Sequence, residues 1–280
     1  MERIQEALAR ARAERQKGGN GDRRTGATSR TEHGPAPAAD GAADTAWSAL
    51  APARIDHRHL DRHRVVTAEG GRAAAPYDLL RTKIIHQTQL HGWRRIALVS
   101  PDPAAGKTTT LANLAFSFER QRDMRVIALD LDLRRPNMHR VLGQRTEHGM
   151  ADVLEERVSF ADHGLRLGER VALGLNGQAA RTPSEILLSR KARDAIDGIE
   201  RDYAPDLTFF DISPLNVSDD NIAFLQNVDC AVIIAAAEAT PMKQIDTAER
   251  QVAELTNILG IVLNKCRYTT EDDGYYDYYY

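Results

Sequence analysis

The chain has 280 residues, of which 42% are hydrophobic and 28% charged, with a formal net charge of −3. That length suits one globular domain plus appendages. The slightly acidic balance argues against a general nucleic-acid binder, and no apolar run reaches the ~18 residues of a membrane span. The opening MERIQEALARARAER has no apolar core region and does not read as a signal peptide. Cys230 and Cys266 form no metal-ligand spacing and lie in or beside apolar runs, so both are expected to be inert core thiols of a reducing cytoplasm.

In chain order, residues Glu2 to Arg15 suggest a short helix with a thin apolar stripe at Ile4 and Leu8. It is either a marginal helix in an arm or a docking element. Residues 17–46 are rich in Gly, Ala, Pro and charge, and cannot bury enough apolar surface to offset chain entropy, so a disordered leading linker is expected. Order is expected to begin between Leu60 and Tyr77. The division this implies is an N-terminal helix and linker over 1–60, a globular domain over 61–267, and a tail over 268–280.

The globular part alternates apolar strands with helices. Strands are expected at Ile96–Ser100, Val126–Asp130, Val171–Leu175, Leu207–Asp211, Ala231–Ala235 and Ile261–Asn264. Such alternation predicts an α/β fold of P-loop NTPase type, with a mostly parallel central sheet and helices on both faces. Ligands of such sheets sit at the carboxyl ends of the strands, where the loop after Ser100, Asp130, Asp211 and Asn264 all collect.

The stretch from Arg95 to Pro136 carries the chemistry. After the first strand, Pro101, Pro103 and Gly106 break the chain, and Lys107-Thr-Thr-Thr opens a helix with Leu111, Leu114, Ala115 and Phe118 at helical spacing. Strand, Gly-Lys-Thr, helix is the layout of a phosphate-binding loop, although the strict pattern has Gly where this chain has Pro101. Ala105, Gly106, Lys107, Thr108 and Thr109 would cradle phosphates with backbone N–H groups. Lys107 would reach the β/γ-phosphates, and the Thr108 hydroxyl would bind Mg²⁺. The second strand ends in Asp130-Leu-Asp132-Leu-Arg134-Arg135-Pro136. On an extended chain, two carboxylates two residues apart share a side, which suits a metal-linked or proton-accepting pair. The third ends in Asp211-Ile-Ser-Pro214, where Asp211 is placed to hold Mg²⁺, through water.

Ser100-x-x-Pro103-x-x-Gly106-Lys107-Thr108, Asp130-x-Asp132-x-Arg134 and Asp211-x-x-Pro214 resemble the three signatures of bacterial tyrosine kinases, P-loop proteins of exopolysaccharide export akin to partition and division-site ATPases. The likeness covers roughly residues 72 to 280. Thr182-Pro-Ser-Glu-Ile-Leu and Val262-Leu-Asn264-Lys265 resemble further family segments, and the opening helix resembles that of members tied to exosortase-type loci. The resemblance implies that Asp130 helps orient the site, that Asp132 accepts the tyrosine proton, and that Asn264 contacts adenine, unless it caps a turn. Arg134 or Arg135 would offset phosphate charge. It implies ATP and Mg²⁺ as cofactors and a membrane polysaccharide co-polymerase and a tyrosine phosphatase as partners. The location implied is cytoplasmic, at the inner face of the membrane.

Two departures stand out. Ala104 occupies a position where the family has Gly, and a left-handed Ala would be strained by about 1 kcal/mol. In Ala75-x-x-Asp78-x-x-Arg81 only Arg81 matches the family's Glu-x-x-Arg-x-x-Arg oligomer motif, and Asp78 reverses a charge, so any homo-oligomer is expected to be weak.

Five of the last six residues, Tyr275, Tyr276, Tyr278, Tyr279 and Tyr280, are tyrosines, against eight in the whole chain. A buried terminus could not satisfy five phenols cheaply, and the family resemblance makes this cluster the autophosphorylation site. Extended, the chain after Arg267 reaches roughly 46 Å, well beyond a radius of gyration of about 16 Å. The leading expectation is a MgATP-dependent tyrosine autokinase regulating exopolysaccharide synthesis and export. The alternatives are a partition-type ATPase acting as a nucleotide-dependent switch, and a degraded kinase serving as scaffold.

Overall fold

The computed structural model describes residues 40–217 and 220–266. The proposed N-terminal helix, residues 17–39 of the linker and the tyrosine tail lie outside these residues.

An eight-stranded sheet runs in the order β1-β4-β5-β3-β6-β2-β7-β8. Its strands are β1 (Ala51–Pro52), β2 (Arg95–Val99), β3 (Val126–Asp130), β4 (Leu165–Leu167), β5 (Val171–Gly174), β6 (Leu207–Asp211), β7 (Cys230–Ala236) and β8 (Asn257–Asn264). The six strands expected from sequence all form, and every pairing among them is parallel. The exception to the parallel pattern is β4, which pairs antiparallel with β5 and parallel with β1. Both are two or three residues long and too short to carry an apolar period.

Buried strand residues alternate between two cores, one on each face of the sheet. Ile96, Leu98 and Phe209 pack with Leu111 and Phe118 on one side. Ala97, Val99 and Phe210 pack with Ile196 and Phe224 on the other. A strand covered on both faces loses the polar alternation of a half-exposed one, which is why these strands read as unbroken apolar runs.

The helices that position the site are α1 (Asp40–Ala49), α2 (His57–Arg62), α3 (Ala75–His91), α4 (Lys107–Glu119) and α5 (Met138–Val141). Helix α1 corrects the expected start of order: it falls partly within the stretch read as disordered. Its Ala43 and Trp47 are buried, and the Trp47 indole N–H donates to Tyr203 O at 2.7 Å. One aromatic anchor with a satisfied N–H offsets the ordering entropy of an otherwise Ala- and Gly-rich segment.

Cys266 is a second correction. Cys230 is buried, with burial pushing its thiol up to about 12, but Cys266 is exposed just beyond the edge strand β8. Among the described residues no helix is long and apolar enough to cross a membrane.

Candidate active site: a phosphate loop over a buried acid pair

The loop between β2 and α4 is held open for a ligand. Ala104 has φ 61° and Gly106 φ 100°, both left-handed. Gly106 is obligatory there, because a Cβ would collide with the Asn264 side-chain amide. The far side of the loop is stitched to the chain leaving β6, with Leu215 N donating to Ser100 O at 2.9 Å and Asn216 N to Pro101 O at 3.1 Å. From the end of β8, Asn264 Nδ2 donates to Ala105 O at 2.9 Å and Lys265 Nζ to Ala104 O at 2.6 Å. Asn264 thus braces the loop, and the Lys265 contact was not expected from sequence.

Lys107 and Thr108 begin α4, where unpaired N–H groups and the helix dipole favour an anion. The Thr108 hydroxyl donates to Asp211 Oδ2 at 2.5 Å. Asp211 Oδ1 is buried and has no hydrogen-bond partner among the described residues. Asp130 and Asp211 are register partners on β3 and β6 and both are fully buried. Burial raises the pKa of each. For Asp130 the nearby Asp211 charge adds to this; for Asp211 the Lys107 charge and the Thr108 hydroxyl oppose it. An orphaned carboxylate oxygen beside a hydroxyl at a phosphate-binding helix start is the donor set a Mg²⁺ ion would satisfy.

The two acids after β3 separate in role. The strand ends at Asp130, and Asp130 Oδ1 accepts from Asp132 N at 3.2 Å while Oδ2 accepts from Met138 N at 3.2 Å. The chain therefore turns where an extended segment was expected, because the buried carboxylate captures local N–H groups. Asp130 stays beneath the site and orders the loop. Asp132 lines a cavity of about 900 Å³ together with Lys107, Thr108 and Thr109. Its Oδ1 accepts from Arg135 N at 3.0 Å.

Arg134 also lines the cavity, but its guanidinium is engaged by Asp220, at 2.5 and 3.1 Å, and by Ser184 Oγ at 3.2 Å. Ser184, within the Thr182-to-Leu187 segment, thus helps to place Arg134. Arg64, His139, Arg140, Gly177 and Gln178 line the cavity as well and were not anticipated. The one available sequence signal was Asn113, a polar residue within the apolar run of α4. It is fully buried and holds the Arg64–Thr67 segment against the helix.

Asp78 turns inward. Its Oδ1 accepts from Arg120, from Ser117 Oγ at 2.5 Å and from Arg81 at 3.5 Å, joining α3 to α4.

The family model of the CobQ/CobB/MinD/ParA nucleotide binding domain matches residues 96–279. The chain is 28% identical over 205 residues to the tyrosine-protein kinase YwqD of Bacillus subtilis, covering 71% of this chain and 84% of YwqD. It is 27% identical over 190 residues to the tyrosine-protein kinase Wzc of Salmonella typhimurium, covering 66% of this chain but only 26% of Wzc. In fold it is similar to the kinase domain of the Escherichia coli tyrosine kinase ETK, with TM-score 0.63 at 24% identity, over 72% of this chain and 80% of that one. The kinship with bacterial tyrosine kinases read from the three signatures is met by these matches, and the chain belongs to the CobQ/CobB/MinD/ParA nucleotide-binding domain family.

Proposed function

We propose that the chain is a MgATP-dependent protein tyrosine autokinase whose acceptor is its own C-terminal tyrosine cluster. The observation that carries this is the arrangement around Thr108. A hydroxyl and an orphaned buried carboxylate oxygen lie at the foot of a phosphate loop, while Asp132 alone of the three acids faces the cavity. Bound MgATP would supply the transferable phosphoryl group and the charge that neutralises its oxygens. The amides of Ala105 to Thr109 would hold the phosphates, Lys107 would stabilise charge on the transferring group, and Thr108 and Asp211 would hold the metal.

Asp132 would take the phenol proton as the tyrosine oxygen bonds to the γ-phosphorus and the bond to the β-phosphate bridging oxygen breaks. A phenol of pKa about 10 needs only such modest assistance. Asp130, held by two backbone N–H groups, orients the Asp132 loop.

The family resemblance further supports a membrane polysaccharide co-polymerase and a tyrosine phosphatase as partners, at the inner face of the cell membrane, with control of exopolysaccharide synthesis as the outcome. Asp78 supports weak self-association, because its carboxylate is already occupied within the chain. The deciding experiment is mass spectrometry of the purified chain after incubation with MgATP, against a Lys107→Met variant. Phosphate on tyrosine only in the unaltered chain supports the reading. ATP hydrolysis without phosphotyrosine would point to a partition-type ATPase instead.

A further inference from the structure

The cavity beside the phosphate loop is far more basic than a nucleotide requires. Lys107, Arg64, Arg134, Arg135, Arg140 and Lys265 line it, against the single carboxylate of Asp132. The chain as a whole carries −3, so this concentration of positive charge runs against its overall sign. Three of the cations have work already: Lys107 at the phosphates, Arg134 on Asp220, and Lys265 on Ala104 O. Arg64, Arg135 and Arg140 form no ion pair with a carboxylate among the described residues.

All three line the same cavity, and contacts outside the phosphate loop hold Arg64 and Arg140. Arg64 has φ 59°, a left-handed conformation uncommon for a non-glycine residue. It is kept there by Asn113 of α4, whose Nδ2 donates to Arg64 O at 2.9 Å and whose Oδ1 accepts from Val66 N at 2.8 Å. Arg140 stands on α5, tied to the same leading segment by His59 Nε2 and Arg140 O at 2.7 Å. Arg135 follows Asp132 by three residues and donates its backbone N–H to it. A tyrosine whose hydroxyl reached Asp132 would enter this same cavity, whose lining carries all three arginines.

We propose that Arg64, Arg135 and Arg140 form an acceptor-docking wall that selects a tyrosine segment flanked by acids, and that its occupant is the chain's own Glu271–Tyr280. This rests on the kinase reading above. In that segment Glu271, Asp272 and Asp273 precede the first tyrosine of the cluster, and Asp277 sits between Tyr276 and Tyr278. Whichever tyrosine is presented, a carboxylate lies within a few residues of it. The charges are complementary, and the pairing would set register and encounter rate more than ground-state affinity.

Two measurements test this. In the first, autophosphorylation of the intact chain is compared with that of a chain carrying Glu271→Gln, Asp272→Asn, Asp273→Asn and Asp277→Asn. The neutralised tail is expected to be slower by about tenfold at low ionic strength, with the gap closing at high salt as screening sets in. Arg64→Ala and Arg140→Ala should each slow the unaltered tail by roughly three- to tenfold while leaving MgADP affinity within about twofold. In the second, the anisotropy of a labelled peptide of residues 268–280 is titrated with the full-length chain and with the two arginine variants. This arm reads docking even if phosphate is never transferred. Salt-sensitive binding weakened in both variants supports the wall. Equal rates for native and neutralised tails, or arginine variants that weaken MgADP as much as the peptide, would overturn it and assign the wall to the nucleotide. Absence of phosphotyrosine from the unaltered chain, with peptide binding retained, would instead sink the kinase reading and leave the docking surface standing.

Discussion

The Thr108 hydroxyl and the Asp211 carboxylate meet at 2.5 Å across the gap between α4 and β6, leaving the second carboxylate oxygen buried and without a partner among the described residues. Asp211→Asn should raise the melting temperature of the ligand-free chain by about 2–4 °C, for a gain on the order of 1 kcal/mol, by removing a charge packed against Asp130. It should also abolish the extra stabilisation that Mg²⁺ adds to ADP. Differential scanning fluorimetry with and without MgADP checks both, and a destabilised variant that still responds to Mg²⁺ would refute the assignment.

The same pair sets a pH dependence. Both Asp130 and Asp211 have raised pKa values in the folded chain, chiefly through burial. Their contribution to stability is fully present below the unfolded carboxylate value of about 4 and is lost as pH rises through the folded values. The pair's contribution to ligand-free stability should therefore fall as pH climbs above about 4, whereas the shift on adding MgADP should grow, since the metal favours the ionised Asp211. Melting curves from acid to neutral pH with Asp211→Asn as control read this directly; a MgADP shift that shrinks with rising pH would contradict it.

Lys107 is nearly buried yet faces the cavity. Lys107→Met should keep the fold and lower phosphotransfer on the order of 10²-fold or more, measured as phosphotyrosine per chain over time. Asp132→Asn should lower the same rate with MgADP affinity little changed. If Asp132→Asn phosphorylates normally, positioning alone carries the reaction.

Ala104 at φ 61° pays for a conformation glycine adopts freely. Ala104→Gly should stabilise the chain by up to about 1 kcal/mol and tighten MgADP, because the loop no longer resists its ligand-binding shape. Chemical denaturation and nucleotide titration of the pair give the answer; weaker nucleotide binding in Ala104→Gly would mean the strain is useful.

Exposed Cys266 and buried Cys230 should differ sharply towards a thiol reagent at pH 8. One thiol should label quickly and the second only on unfolding, since burial pushes Cys230 up to about 12. Peptide mapping after a brief exposure identifies which reacted.

The six long strands, the phosphate loop and the acids that end β3 and β6 were legible in the sequence because each depends on local pattern. A strand buried on both faces must be apolar throughout, and a loop that approaches phosphate needs Gly106 followed by Lys107 and Thr108. What local pattern could not supply was partnership. Nothing in a run of alanines and glycines says that Trp47 will find the Tyr203 carbonyl and hold α1 in order. Two acids two residues apart do not announce that one will be fully enclosed beneath the site while the other lines the cavity. The reversed charge at Asp78 reads as a lost contact until α4 brings Ser117 and Arg120 to it. Arg64 lies outside every recognisable motif and reaches the site only because Asn113, far along the chain, holds its backbone there. Sequence determined which chemistry this protein carries, since that rests on residue type at short spacing. Tertiary structure alone decided which of those groups meet, because hydrogen-bond partners and burial are fixed by residues far apart in the chain.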